Sequence, residues 1–454
     1  MRKIAFIQVV AALLAVGARP ALASDPVHVA PGREELIFES IPDVWSATRT
    51  IRSPLDVPNE VTVITSEDIR ASGATSIVEL LETVPALELM RVSRADVNVS
   101  IRGFNPLVSS RVLAMIDGRP VNIDFTGIVL WESLNVQLQE ISRIEIIRGP
   151  GSVLYGANAL MGVVNIITKR PHEMPKLSAH AGFGPKTSFT SATLARATER
   201  ASFKSSVKYQ ALKHFRNESS PFRLERRTRD NTAQRFTQGS ATFEYLFGDG
   251  TNFSLSGGAT QLNQDVGTQL GDFRLGGAML YYGKVNVESG LWRFQSFLNG
   301  LASDLGTAGS VFPPPFPPAV PLKSDLRTLT IDAEVQRTHP LGNHTFLWGL
   351  NVRRVTTTSR EFFGGREEEM LYGAFLQDEF PMGEHLLLLG GVRFDRLPKA
   401  GLHVSPRLSA VVKLGPTQRL RFLWTRSFRA PSHLYKYAKL TIPNSAPTAL
   451  APGV

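Results

Sequence analysis

Two arginines each stand directly before a glycine in strand-like surroundings: Arg102 in Ser100-Ile101-Arg102-Gly103-Phe104, and Arg148 in Ile146-Ile147-Arg148-Gly149-Pro150-Gly151. A guanidinium carries its N–H donors in a fixed fork, so an arginine at a strand end suits a two-point ion pair with a facing carboxylate. The plain alternative is a pair of solvated surface arginines. The glycines beside Arg148 invite a second chemistry, a loop that cradles phosphate. That reading fails, because Gly149-Pro150-Gly151 has neither the Gly-x-Gly-x-x-Gly spacing nor a Gly-Lys-Ser/Thr end, and no amphipathic helix follows. Other chemistry is sparse. The chain has no cysteine, its 9 histidines show no ligand spacing, and no Ser-His-Asp order carries supporting motifs. The sequence therefore predicts no metal centre, no cofactor and no enzyme.

The run from Arg143 to Lys169 must position Arg148. Ile144, Ile146 and Val163-Val164-Asn165-Ile166-Ile167 supply buried strands, and Gly149, Gly151, Gly156 and Gly162 are expected to permit tight reversals between them. Upstream, Val61 to Thr65 reads as a strand and Ser66 to Gly73 as a short helix ended by its glycine. Ser76 and Glu79 have capping-box spacing for a helix with Ile77, Leu80 and Leu81 on one face. Val97 to Phe104 and Arg111 to Ile123 follow as strands, with Asp117-Gly118 as a hairpin turn. Residues 55–171 thus read as a small α+β domain.

After Pro171 the texture changes to long alternating strands. Phe243, Tyr245 and Phe247 share one face, Gly248-Asp249-Gly250 turns the chain, and Phe253, Leu255, Gly257 and Ala259 return on an apolar face. Leu420, Phe422, Trp424 and Phe428 repeat the pattern opposite Arg419, Arg421, Thr425 and Ser427. Short turns alternate with long loops such as Leu305 to Lys323, whose prolines forbid strand continuation. A soluble sandwich would use shorter strands; this asymmetry is that of an outer-membrane barrel. Tyr281, Tyr282, Trp292, Trp348 and Trp424 are candidates for interfacial girdles, ordinary packing being the alternative. The alternation gives about thirteen strands.

The N-terminus has the layout of a secretory signal: Arg2 and Lys3, an apolar stretch from Ile4 to Val16, and small residues at Ala21-Leu22-Ala23. Residues 1–23 are read as that signal and 24–54 as a polar arm. No later run is long and apolar enough for a helical membrane span. The formal charge of +10 is spread along the chain, which argues for a solvated surface and against nucleic acid. Its densest cluster, Lys213 to Asp230, reads as an exposed loop.

Four motifs in order, Val61 to Leu87, Ser100 to Phe104, Arg111 to Val121 and Arg143 to Pro171, resemble the TonB-dependent outer-membrane receptors. Tyr372 to Phe380, Leu389 to Leu397, Ser405 to Leu414 and Ser427 to Tyr435 extend the resemblance more weakly into 172–454. The resemblance implies a mainly β protein, with a small α+β plug inside a transmembrane antiparallel β-barrel, acting as an energised, monomeric transporter in the lipid of the outer membrane. It implies that Arg102 and Arg148 lock the plug to barrel glutamates, within plug motifs marked by Gly103, Gly118, Gly149, Gly151, Gly156 and Gly162. It implies partnership with TonB, together with ExbB/ExbD, through a box in the arm that adds as a strand. The candidate box is Glu35, Leu36, Ile37, Phe38, Glu39, Ser40, Ile41 and Pro42, which could equally be a spacer docking on the plug. The implied ligand is a small iron chelate, a ferric siderophore first, with cobalamin, haem and oligosaccharides behind. Plug apices at Asn105, Ser109, Asp124 and Thr126 would face it. His433 reads as a loop residue rather than a haem ligand, since haem receptors place theirs further downstream.

The resemblance also sets an expectation about length. A plugged barrel of this kind has 22 strands, which at roughly 20 to 25 residues each needs about 450 to 550 residues. Residues 172–454 suffice for about 13 of them. The chain is therefore expected to be C-terminally truncated, and a non-transporting remnant or ligand-binding receptor is the alternative function. The barrel glutamates that meet the plug arginines would fall beyond this point in relatives, leaving Glu379 as a weak substitute.

Overall fold

The computed structural model describes residues 42–91, 95–103, 111–185, 187–212, 234–268, 271–307, 323–415 and 418–439. The signal, Glu35 to Ile41 of the candidate box, the apices Asn105 and Ser109, and most of the basic and proline-rich loops lie outside the described residues.

The first domain is built on β1 (Glu60–Thr65), α1 (Ser66–Ser72), α2 (Ile77–Glu82), β2 (Leu87–Arg91), β3 (Val97–Ile101), β4 (Val112–Ile116), β5 (Arg119–Pro120), β6 (Ile141–Arg148), α3 (Ser152–Tyr155) and β7 (Gly162–Thr168). Five strands form a sheet in the order β1-β6-β7-β4-β5, and β2 pairs with β3. β4 and β7 are parallel neighbours. β4 and the first five residues of β7 are buried, so their apolar residues run continuously instead of alternating.

Local signals place most boundaries. Asp117 and Gly118 both take positive φ, 50° and 77°, the pair a tight hairpin needs. The reciprocal capping box lies at α1, where Thr65 and Asp68 bond each other's backbone N–H. At α2 the expected box is incomplete: Ser76 accepts from the Glu79 N–H, but the Glu79 carboxylate turns to the Thr75 N–H at 2.7 Å. The glycines also divide into two kinds. Gly103, Gly149 and Gly156 have φ of 86°, 110° and 70°. Gly151 and Gly162 do not reverse the chain; a Cβ at Gly151 would meet Val163 Cγ2 at 3.1 Å, and one at Gly162 would meet the Ile147 carbonyl oxygen and Ile101 Cδ1. Their role is close packing.

The second region is β8 (Leu177–Phe183), β9 (Thr187–Ala197), β10 (Ala201–Leu212), β11 (Gln234–Leu246), β12 (Asn252–Thr268), β13 (Gly271–Ser289), β14 (Trp292–Thr307), β15 (Lys323–Leu341), β16 (His344–Ser359), α4 (Arg360–Phe363), β17 (Gly365–Met382), β18 (Leu386–Leu397), β19 (Gly401–Lys413), β20 (Arg419–Thr425) and α5 (His433–Tyr437). β8 to β20 form one 13-stranded sheet in sequence order. Neighbours are antiparallel, and among the described residues the two end strands do not pair, so the sheet they form is not closed.

This sheet is inverted relative to a soluble one. Leu408, Leu420, Phe422 and Trp424 are exposed on its outer face, whereas Gln238, Thr260, Gln336 and Gln377 are buried on the inner face against the plug. An outer apolar face suits lipid, and an inner polar one suits a hydrogen-bonded plug. Tyr281, Trp292 and Trp424 point outward as girdle candidates. Tyr282 turns inward, one residue out of phase with Tyr281, with the Arg119 guanidinium 3.9 Å over its ring. Phe428 also departs from the outward face, because β20 ends at Thr425; its ring stacks on His403 at 4.5 Å.

Candidate functional site

The arm entering the plug is held on both sides. Glu145, fully buried on β6, accepts from the Trp45 N–H at 3.2 Å, the Ser46 N–H at 2.8 Å and Arg143 Nε at 2.8 Å. Asn165 Nδ2 donates to Ser46 Oγ, and Tyr155 donates its hydroxyl to the Ser46 carbonyl, each at 2.8 Å. Burial pushes the Tyr155 phenol up to about 12, which keeps it a donor. On the wall side, Arg49 pairs with Glu334 at 2.5 Å and Arg52 with Glu379 at 2.6 Å, where Thr50 also donates. Burial alone would lower the Arg49 pKa, but the Glu334 carboxylate and Tyr155 more than offset it, so the charge is retained.

Among the described residues, the two arginines expected to form the lock are paired within the plug. Arg148 pairs at 2.8 Å with Glu60, on the plug's own β1, and Arg102 pairs with the same carboxylate at 3.3 Å. Arg148 also donates to Thr62 Oγ1 and the Pro85 carbonyl. Glu379, the suggested substitute partner, is taken by the arm. Strand β1 lies beside β6 with Glu60 opposite Arg148, so the plug edge offers a nearer carboxylate than the wall.

Further ties grip the plug hairpin. Lys284 donates to the Asp117 carbonyl, Gln295 to that of Gly118 and Asn299 to that of Pro120. Asp56 is held by Arg419 at 2.9 Å and Lys413 at 3.0 Å. Burial acts against its charge, but these cations outweigh it and hold its pKa below the usual aspartate value. A depressed folded pKa means that the tie is complete above the unfolded aspartate pKa and is lost as pH falls through the folded one. Unfolding measured between pH 5 and pH 2 should therefore show a share of acid sensitivity that Asp56→Asn removes; an unchanged profile in that variant would remove Asp56 from the acid response.

Beside these ties, a narrow cleft of about 100 Å³ opens between the plug and the wall. Arg49 and Glu334 line it, as do Asp124, Asn158, Leu371 and Phe428. Arg353 pairs with Asp332 and Arg393 with Asp395, both at 2.8 Å, and Asn351 hydrogen-bonds to both Asp332 and Arg393. At its other end Glu369, on β17, receives His433 Nε2 at 3.0 Å, Lys436 Nζ at 2.6 Å and the Tyr437 hydroxyl at 2.5 Å. The backbone N–H groups of His433 and Leu434 donate to the Asp124 and Phe125 carbonyls, so α5 sits on the plug apex. Opposite charges alternate along this wall, which makes the cleft polar without strong net sign.

The predicted apices fare differently. Asp124 lines the cleft, with its carboxylate accepting from Thr330 Oγ1 at 2.5 Å. Thr126 is buried and its hydroxyl accepts from the Ile128 N–H at 3.5 Å, so it braces its own turn and does not face the cleft. His433 is also buried, on Glu369, instead of lying free in a loop. The sequence reading missed Glu145, Glu369, Asp332, Arg353, Arg393 and Asp395. Their signal was available in part: the last five stand in the inward phase of strands whose other phase is apolar.

A family model described as "TonB-dependent Receptor Plug Domain" matches residues 53–163, and one described as "TonB dependent receptor-like, beta-barrel" matches 181–452. The chain is 36% identical over 128 residues to the vitamin B12 transporter BtuB of Vibrio vulnificus, covering 28% of this chain and 20% of that protein. It is 35% identical over 125 residues to the ferric enterobactin receptor PirA of Pseudomonas aeruginosa, covering 24% of this chain and 16% of that one. The crystal structure of the siderophore receptor PirA from Pseudomonas aeruginosa shares the fold, with a TM-score of 0.58 at 20% identity over 82% of this chain and 65% of its own. The matches thus span a fifth or less of the two curated relatives, and just under two thirds of the solved structure.

Proposed function

This chain belongs to the TonB-dependent receptors, and on that premise we propose that it takes up a scarce ligand, a ferric siderophore, across the outer membrane under the pull of TonB. The observation that carries the proposal is the position of Arg49, which belongs to the arm and also lines the cleft through its pair with Glu334. Pro42, the last residue of the candidate box, leads straight into that arm. TonB, energised by ExbB/ExbD, would add its strand to the box and draw on the arm. Withdrawal of the arm breaks the Arg49 and Arg52 pairs and takes away one wall of the cleft. Arg102 and Arg148, tied to Glu60, hold the plug's edge together during that pull.

The siderophore is favoured over cobalamin because PirA, named as a receptor for ferric enterobactin, is similar both in sequence and in fold. The similarity to BtuB makes cobalamin the second reading. The test is uptake of radiolabelled ferric enterobactin and of cobalamin by cells that lack their own receptors and express the full chain, with and without TonB. The expected result is saturable iron uptake that needs TonB and falls at least tenfold on deletion of residues 35–42. Cobalamin uptake alone would replace the cargo. Binding of either ligand without import would replace transport by a ligand-binding receptor.

A further inference from the structure

The outer face of the sheet between β14 and β19 carries a feature of its own, on the side away from the plug. Long connections, 213–233 and 308–322, join the strands at one end, whereas 342–343 and 383–385 are short turns at the other. In a membrane wall the long-loop end is the extracellular one. Toward that end two rows of outward residues run across the strands. One is Ala333, Val352, Tyr372, Arg396 and Leu402; the next is Val335, Leu350, Ala374, Phe394 and Val404. Tyr372, Leu350, Phe394 and Leu402 are strongly exposed, while Ala333 and Ala374 are too small to fill the space between them. The result is an apolar groove with Arg396 at its upper rim.

Arg396 is out of place in such a row. It is exposed, it stands between Tyr372 and Leu402 in register, and among the described residues it has no ion-pair partner. The outward arginines above it are paired: Arg354 and Arg366 share Glu368 at 2.8 and 3.0 Å, and Arg327 meets Asp325 at 3.3 Å. Four arginines stand against three carboxylates, Asp304, Asp325 and Glu368, and leave Arg396 as the unmatched cation of this outer belt. A cation on a lipid-facing strand is costly unless it reaches the interface and meets an anion there, and a guanidinium fork matches phosphate oxygens in two-point contact. An aromatic such as Tyr372 beside it suits the headgroup level.

We propose that this groove binds a phosphorylated acyl lipid of the outer leaflet, with a headgroup phosphate on Arg396 and an acyl chain laid over Ala374. The proposal rests on the reading of the sheet as a membrane wall; Tyr372 and Arg396 also border the cleft, but both stand in the outward phase of their strands.

The test uses the purified full chain in neutral detergent micelles, titrated with a phosphorylated multi-acyl glycolipid and with the same lipid stripped of phosphate. Bound lipid is counted by native mass spectrometry. The expected result is one saturable phosphorylated lipid per chain, with retention weakened about fivefold in Arg396→Gln and by a similar factor in Ala374→Leu, which fills the groove without altering charge. Both substitutions lie on the outer face, and unchanged strand circular dichroism shows that the chain still folds. Equal binding of the dephosphorylated lipid, or wild-type retention in both variants, overturns the site. Displacement by inorganic phosphate at the same concentration overturns the lipid in favour of a simple anion. Fractionation of the expressed chain keeps the two failures apart: a protein absent from the outer membrane fails the membrane reading, and one present there without phosphate preference fails the lipid site alone.

Discussion

Glu145→Ala is expected to free the arm from the plug and to cost about 3 to 5 kcal/mol, the scale for breaking a buried charged network from one side. The carboxylate is fully buried and accepts from two backbone N–H groups and one guanidinium. Alanine leaves the buried Ser46 N–H and the half-buried Trp45 N–H without acceptors, and it takes the carboxylate partner from Arg143. Glu145→Gln keeps one acceptor oxygen and should lose roughly half as much. Denaturant titration of the full chain in detergent gives the stability, and limited proteolysis across residues 42–56 reports the arm. The alanine variant should be cut early in that segment. A wild-type midpoint with a protected arm would show that the carboxylate is not the clasp. Because the same segment carries Arg49 and Arg52, a freed arm should also weaken both wall pairs and remove the cleft wall that Arg49 forms, so that on the proposed reading ligand binding falls together with uptake.

Gly162→Val should prevent the plug from assembling, at a cost of about 3 kcal/mol or more. Any Cβ at this position overlaps the Ile147 carbonyl oxygen and the Ile101 side chain, and backbone cannot step aside as a flexible side chain does. The contrast is Gly73→Ala, where φ is 66° but nothing lies within 4 Å. That change meets conformational strain alone, about 1 kcal/mol. Thermal unfolding followed by near-ultraviolet circular dichroism would rank the two. Similar midpoints would mean that β6 and β7 can separate locally, and would refute the view that Gly162 is fixed by packing.

What the sequence by itself determined was whatever repeats over a few residues. The alternation after Pro171 gave about thirteen strands and the sheet has 13, because the side chains of a strand alternate by geometry and lipid on one face makes the contrast strong. Asp117-Gly118 announced its hairpin because few residue pairs accept positive φ twice. The burial of Ile77, Leu80 and Leu81 followed from helical period alone.

Partner choice was decided by the tertiary structure. Arg102 and Arg148 have the chemistry of a lock, but which carboxylate they meet depends on β1 lying next to β6, which brings Glu60 within reach ahead of the wall. Glu145 looks like a solvent-phase residue of a strand until the arm is laid across it. Gly162 resembles a turn glycine until Ile101 and Ile147 are packed against it. Tyr282 and Thr126 turned inward for the same reason: a side chain's neighbours come from distant segments, and the short-range sterics that the sequence records do not contain them.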